Sequence, residues 1–403
     1  MKLMVVGHPF LLAYNQQKYV AMKRLDKNLR LRLVVPNRGS DRFGVTDYQV
    51  HAELGAEEVV GLKAYMAKTH MTYVHSPRRL AATLCDFQPD VIHIEEEPQA
   101  FITLEMLVLR RIFAPRAAVS LFTWDNIVRP RRFPLGIAKR RMRAFSLRRT
   151  SVVICGNRES AEILRAEGYF TGKVEVLPQY GLDVAEHKPG TESELREQLG
   201  VQGVPVIGYI GQMVERKGLQ LLIEVLEKLL DCPWKLLLVG SGPLDREIRE
   251  QWTPRLAGRV VAVPAVPYEQ VSRYFRCLDI FVLPSRTVPT WKEQFGLALA
   301  QAMMSGIACI GSSSGAIPEV LGPGGHVFKE GNSAELREKL KALLDSTVLR
   351  KRLSDQGRSF ALQHYTREIV ATRYLDAFEN ARGVHNPGRE ASTETLEAGS
   401  LAR

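Results

Sequence analysis

Between Asp279 and Glu319 the chain reads DIFVLPSRTVPTWKEQFGLALAQAMMSGIACIGSSSGAIPE. Ile280 to Leu283 is an apolar run of strand length, broken by Pro284 and Ser285 and followed by a polar loop. Glu293 stands just before Phe295-Gly296-Leu297, a helical segment continues to Met304, Gly306 closes it, and Ile307 to Ile310 reads as the next strand. This is a strand–loop–helix–strand unit whose loop ends on a helix N-terminus. Such a terminus offers unpaired amides and about half a positive charge, which suits an anion such as a diphosphate. A carboxylate just before it does not suit phosphate, so Glu293 is expected to accept hydrogen bonds from sugar hydroxyls.

A chain of 403 residues exceeds what one hydrophobic core serves, so two domains are expected. Apolar content of 45% and charged content of 25% are those of a globular protein, and no apolar run approaches the 18 residues of a spanning helix. Met1 to Val6 is too short for a signal segment and meets Gly7-His8-Pro9 at once, so it reads as a first strand. The five cysteines lie far apart without a C-x-x-C pair, which fits a reducing cytoplasm and no zinc site. The net charge of +11 is uneven: residues 1–183 hold 28 Lys and Arg against 18 Asp and Glu, the remainder 27 against 26.

Strand-like and helix-like segments alternate through the first half, as in a doubly wound domain. Lys2–Val6 and Arg30–Val35 flank the amphipathic segment Gln16–Lys27, and Asp90–Ile94 is a further strand ending in Glu95-Glu96-Glu97. Carboxylates at a strand's C-terminal end lie where α/β domains hold ligands. Glu95 and Glu96 are therefore candidates for acceptor hydroxyls, with a solvated helix start as the rival reading. His93 is expected to pack under the sheet. Ala117–Phe122 is a strand followed by Thr123-Trp124-Asp125-Asn126, where Asp125 or Asn126 either orients a sugar or closes an Asx turn. Arg129 to Arg149 has nine basic residues and no acidic one, with Leu135, Ala138, Met142 and Phe145 on one narrow apolar face. Such a helix suits an anionic membrane surface or the phosphates of an acceptor; the alternative is a solvated helix packed on the sheet. No nucleic-acid module or aromatic stacking pattern accompanies it, so no nucleic-acid partner is expected.

The segment 204–210 opens the second half as a buried strand, followed by Gly211-Gln212-Met213-Val214-Glu215-Arg216-Lys217-Gly218. Leu219–Leu230 reads as a helix, Trp234–Val239 as a strand and Gly240-Ser241-Gly242-Pro243-Leu244 as a turn. Together with Glu293-Gln294-Phe295-Gly296-Leu297, Gln301-Ala302-Met303, Gly306 and Gly315-Ala316-Ile317-Pro318-Glu319, this pattern resembles the family-4 retaining glycosyltransferases of glycosyl transferases group 1, which have the GT-B fold. The likeness is dense over residues 205–330 and looser in the first half.

The resemblance implies two facing Rossmann-like α/β domains with an interdomain cleft. It divides the chain into an N-terminal acceptor-side domain (1–183) rejoined by a returning helix (366–382), a linker (184–203), a nucleotide-sugar-binding domain (204–365) and a disordered polar tail (383–403). It implies a hexosyltransferase that moves a sugar from a nucleoside-diphosphate sugar to a hydroxyl of a glycan, lipid-linked glycan or phospholipid. Lys217 would grip the diphosphate, with Gln212 where relatives carry an arginine and Arg216 as its compensation. Gly242 would let the nucleotide approach, Glu293 and the amides of Phe295, Gly296 and Leu297 would hold sugar and phosphate, and Gln301 would meet the ribose. Asp125 stands where many relatives have a histidine, and makes a catalytic set with Glu293 and Lys217. Trp291 lines either the sugar pocket or the core. No D-x-D triplet is present, so neither a metal nor another cofactor is implied, and the leaving phosphate would take the acceptor proton. A cytoplasmic location, peripheral on the inner face of a membrane through 129–149, follows from the basic first half. Two other classes compete: a catalytically weak sugar-nucleotide-binding protein and a membrane-binding protein with a vestigial cleft.

Overall fold

The computed structural model describes residues 1–41, 44–67, 69, 71–128 and 134–385, and the chain divides into two compact units, Leu182–Thr366 and the remainder. The polar segment 386–403 and the basic residues 129–133 lie outside the described residues.

Unit 1 is built from β1 (Lys2–Val6), α1 (Gln17–Leu25), β2 (Arg30–Pro36), a hairpin of β3 (Arg38–Asp41) and β4 (Gly44–Asp47), β5 (Val59–Leu62), α2 (Pro77–Phe87), β6 (Val91–Ile94), α3 (Phe101–Phe113), β7 (Ala118–Thr123), α4 (Pro134–Leu147), β8 (Val152–Cys155), α5 (Arg158–Glu167) and β9 (Lys173–Val176). Seven strands form one parallel sheet in the order β5-β2-β1-β6-β7-β8-β9. The two-residue period of a strand sends Leu3 and Val5 to one face and Met4 and Val6 to the other, and both faces are covered. Each strand therefore reads as an unbroken apolar run, which is why the sequence reveals it.

Unit 2 comprises α6 (Ser193–Gln198), β10 (Val206–Ile210), α7 (Leu219–Glu227), β11 (Lys235–Val239), a helical run α8 made of Asp245–Glu247, Ile248–Trp252 and Thr253–Arg255, β12 (Val260–Val263), α9 (Tyr268–Phe275), β13 (Ile280–Leu283), α10 (Leu297–Met304), β14 (Ala308–Ser312), α11 (Ile317–Leu321), β15 (His326–Phe328), α12 (Ser333–Asp345) and α13 (Thr347–His364). Its parallel sheet has the order β12-β11-β10-β13-β14-β15. A last helix, α14 (Arg367–His385), belongs to unit 1 and buries Val370, Tyr374 and Phe378 against its core.

Two divisions differ from the sequence reading. Residues 184–203 are not a free linker: α6 lies within them, and Leu195 and Val201 are buried in the unit 2 core. The units separate at Gly181/Leu182, where Leu182 pairs with Thr366 and donates its N–H to Tyr365 O at 2.8 Å. The final helix runs to His385, three residues into the segment expected to be disordered. Among the described residues no helix is long and apolar enough to cross a membrane.

Candidate functional site

In a doubly wound sheet, ligands gather at the C-terminal ends of the strands where the strand order reverses. In unit 2 that point lies between β10 and β13, and both loops that leave it carry predicted residues. After β10 the chain turns through Glu215–Lys217, and Lys217 Nζ reaches Glu293 Oε2 at 2.7 Å. The same oxygen accepts Ser285 Oγ–H at 2.7 Å. The Glu293 backbone is fixed as well, its carbonyl accepting the Ala316 N–H at 3.0 Å. Gly315 makes that approach possible, because a Cβ there would stand 2.1 Å from the Glu293 carbonyl oxygen. Glu293 and Lys217 are thus placed by three loops of one sheet before any ligand arrives.

The apolar body of Trp291 lies beside them, 4.8 Å from Lys217 Nζ and 5.1 Å from the Arg216 guanidinium. Trp291 is neither core nor bare surface. It pairs with Val288 in a tight hairpin and lines an open pocket with Arg216, Arg286 and Thr290. Arg216 also points one N–H at Gln212 Oε1, at 3.4 Å, so the glutamine and the arginine are neighbours. Gly296, in the left-handed region at φ 81°, caps α10 without any side chain on its first amides. The N–H groups of Leu297 and the residue after it have no partner inside the helix. The Phe295 ring is an anchor, edge-on to Tyr365 at 5.6 Å, which leaves only its backbone for a ligand role.

Two donor-site candidates have other work. Gly242 was expected to admit a nucleotide. Instead, a Cβ there would stand 2.4 Å from Met213 O, so its absent side chain lets the loops after β10 and β11 pack together. Gln301 is buried and donates from Nε2 to Tyr268 Oη at 2.5 Å, with His187 Nε2 at 3.4 Å, so the ribose candidate is part of an internal network. Neither Tyr268 nor His187 carries a sequence signal, because both lie far along the chain from Gln301.

In unit 1 the order reverses between β1 and β6, and the three carboxylates after β6 diverge there. Glu95 turns inward and is removed from the acceptor set. Its oxygens take Lys18 Nζ at 2.5 Å, Gln179 Nε2 at 2.9 Å, His93 Nε2 at 3.2 Å and the Tyr19 hydroxyl. Burial would raise its pKa, but the Lys18 ammonium and the His93 hydrogen bond overcome that and hold it at about 2. Glu96, also buried, accepts from His8 and Tyr73, both on Oε1. Glu97, the third carboxylate of the triplet, accepts the Thr123 Oγ1–H at 2.6 Å and the Trp124 N–H at 2.9 Å. Its side chain is 18% exposed, and burial of the rest together with the Asp125 carboxylate pushes its pKa up to about 7. Asp125 is itself buried, its N–H on Thr123 Oγ1 at 3.2 Å, and Asn126 leans on Glu159 Oε2 at 3.4 Å.

The basic helix α4 also differs from its sequence reading. Its inward face is Arg143, Ala144, Ser146 and Leu147, whereas Ala138 is exposed; the Leu135 side chain lies outside the described residues. Arg143 is not a surface charge: it is fully buried, bonded to Glu167 at 2.6 Å and within 3.9 Å of both Glu97 and Asp125. A charge is tolerated there because three carboxylates surround it. Lys139, Arg140, Arg141, Arg148 and Arg149 remain exposed. Among the described residues no group of three or more His, Cys, Asp or Glu side chains is arranged to hold a metal ion.

The family model for glycosyl transferases group 1 matches residues 191–360, and that for a glycosyl transferase 4-like domain matches residues 19–179. The chain belongs to the group 1 glycosyltransferases. Its fold is GT-B: this glycosyltransferase superposes on Anabaena HepE, solved with UDP, at a TM-score of 0.70 and 18% identity over 94% of this chain and 100% of that one. Sulfoquinovosyl transferase SQD2 of Arabidopsis thaliana is 23% identical over 335 residues, 79% of this glycosyltransferase and 63% of the relative. Phosphatidyl-myo-inositol mannosyltransferase of Mycobacterium leprae is 30% identical over 186 residues, 44% and 48% of the two chains. The matches span less than two thirds of the length of these curated relatives.

Proposed function

We propose that this protein transfers a hexose from a nucleoside-diphosphate sugar to a hydroxyl of a glycan, lipid-linked glycan or phospholipid, with retention of anomeric configuration and without a divalent metal. The observation that carries the reading is the Lys217–Glu293 pair at the reversal point of the unit 2 sheet, beside the open N-terminus of α10. The ammonium and the amides of Phe295, Gly296 and Leu297 are placed to take the charge of a departing diphosphate, and such preorganised groups are the largest single source of catalysis in many enzymes. Arg216 and Arg286 extend the positive surface, Gln212 adds an uncharged amide beside Arg216, and Trp291 gives a sugar ring an apolar face. Glu293, once Lys217 turns to phosphate, has a carboxylate for sugar hydroxyls. In the transfer the new C–O bond forms as the bond to phosphate breaks, and the acceptor proton passes to the released phosphate oxygen. Nucleotide binding by HepE supports the choice of donor.

The exposed cations of α4 suit an anionic surface, and at ~1 kcal/mol each, five of them give a reversible attachment of a few kcal/mol. The acceptor is then lipid-linked and the enzyme works as a peripheral protein at a cytoplasmic membrane face. The test is a thermal-shift panel of UDP, GDP, ADP and their common sugars, because a ligand of the native state raises its stability with concentration over Kd. One nucleotide series is expected to stabilise the wild type, and Lys217→Ala to lower turnover over apparent donor affinity at least ~10-fold. A panel that moves nothing refutes the reading.

A further inference from the structure

The segments that leave β10 and β13 meet at Gly218. A Cβ there would stand 2.0 Å from the Pro284 carbonyl oxygen and 3.3 Å from Arg286 Cγ, and φ is 71°, so this approach needs a glycine. The Arg286 N–H fixes it by donating to the Arg216 carbonyl at 2.7 Å. Two arginines are thereby held side by side, and with Thr290 and Trp291 they line an open cavity of about 270 Å³. Among the described residues no carboxylate lies within hydrogen-bond distance of either guanidinium. Arg286 has Glu215 at 4.0 Å, but that carboxylate is 79% exposed, and such a pair contributes little. Arg216 reaches Gln212 at 3.4 Å, and its buried Nε–H meets no acceptor. A buried donor left unmet is costly, and like charges placed together repel. An anion in the cavity removes both costs.

Trp291 says where that anion sits. Its ring is 4.8 Å from Lys217 Nζ, so the cavity adjoins the seat assigned above to the diphosphate. Lys217 and the α10 amides already serve the phosphates, and the next group along a sugar nucleotide is the ring to be transferred. The cavity is smaller than the ~300–1,000 Å³ of a drug-sized ligand site, which suits one ring and its substituent rather than a whole nucleotide. A neutral hexose would cover the indole and leave both guanidiniums unmatched.

We propose that the sugar this enzyme transfers is acidic: its ring lies on Trp291, and its anionic substituent, a carboxylate as in a hexuronate, takes hydrogen bonds from Arg216 and Arg286. This rests on the transferase reading above and names the class of its donor. Planar guanidinium groups match a carboxylate in geometry as well as in charge.

The test titrates the full chain calorimetrically with UDP, GDP and ADP, each as the free diphosphate, the glucose ester and the glucuronate ester. In the nucleotide series that binds, the glucuronate ester is expected to bind at least ~10-fold more tightly than the glucose ester. Arg286→Ala should bring that ratio to within about twofold, and Arg286→Glu should invert it. The Arg286 side chain is 49% exposed, so both variants should keep the wild-type melting temperature. Should either fail to fold, the wild-type ratio still decides. Equal affinity of the wild type for the two esters overturns the proposal, as does a ratio that survives both substitutions. So does an Arg286→Ala variant that loses the free diphosphate by the same factor as the glucuronate ester, because its guanidinium then serves phosphate. A wild type that binds none of these compounds refutes the transferase reading instead.

Discussion

Replacing Lys18 by methionine removes the ammonium from Glu95 while keeping the volume of the side chain. Lys18 and Glu95 are both buried, 2.5 Å apart, and the ammonium also sits 3.8 Å above the Tyr374 ring of α14. What remains around Glu95 is hydrogen bonding from Tyr19, His93 and Gln179, with no full positive charge. Breaking a buried pair costs about 3–5 kcal/mol, because the surviving charge has neither water nor a counterion. At roughly 2–4 °C per kcal/mol for a unit of this size, unit 1 should melt about 6–20 °C lower. Differential scanning calorimetry at pH 7 measures this. Lys18→Met/Glu95→Gln should recover part of the loss, since the amide removes the unpaired charge and still offers Tyr19, His93 and Gln179 an oxygen. The pH sign is fixed by the direction of the Glu95 shift. Its folded pKa, about 2, lies below the unfolded value of about 4.3, so its stabilisation is complete above the latter and lost as pH falls through 2. A single variant that melts within about 2 °C of the wild type, or a double variant that melts far below the single one, refutes the reasoning.

Glu97 has the opposite sign. Its folded pKa of about 7 exceeds the unfolded value of about 4.3, so its stabilisation is complete below the latter and lost as pH rises through 7. The melting advantage of wild type over Glu97→Gln should therefore shrink between pH 5 and pH 8; parallel curves would contradict this environment. Along α4, Arg143→Met is expected to destabilise unit 1 by several kcal/mol, because it leaves Glu167, Glu97 and Asp125 without their shared cation. Arg140→Glu/Arg141→Glu should leave the melting temperature within about 2 °C yet lower sedimentation with phosphatidylglycerol vesicles several-fold. Equal vesicle binding would remove α4 from any membrane contact.

The sheets were legible because their strands are buried on both faces, so Leu3–Val6, Leu236–Val239 and Ile280–Leu283 read as continuous apolar runs. The phosphate-binding candidates were legible for a related reason: Lys217, Glu293 and Gly296 lie in the segments that join β10 and β13 to their following helices. What the sequence hid is pairing at a distance. Glu95, Glu96 and Glu97 look alike as a triplet, and only partners up to 88 residues away separate a structural anion, a histidine's support and a carboxyl pushed towards neutrality. Arg143 is one of nine cations in its stretch, and nothing local marks it as buried; that follows from Glu167 on the next helix. Gly242 was assigned a ligand because glycine permits close approach, and the approaching group proved to be Met213 of the neighbouring loop.

The central claim is that Lys217 and the amides at the start of α10 receive the pyrophosphate of a sugar nucleotide. Crystals of the protein soaked with the nucleotide diphosphate selected by the thermal-shift panel test it most directly. The account predicts a β-phosphate within hydrogen-bond distance of Lys217 Nζ and of the Gly296 or Leu297 N–H, with the Lys217–Glu293 contact opened. A nucleotide bound elsewhere, or a phosphate that leaves Lys217 on Glu293 and the α10 amides on water, would contradict it.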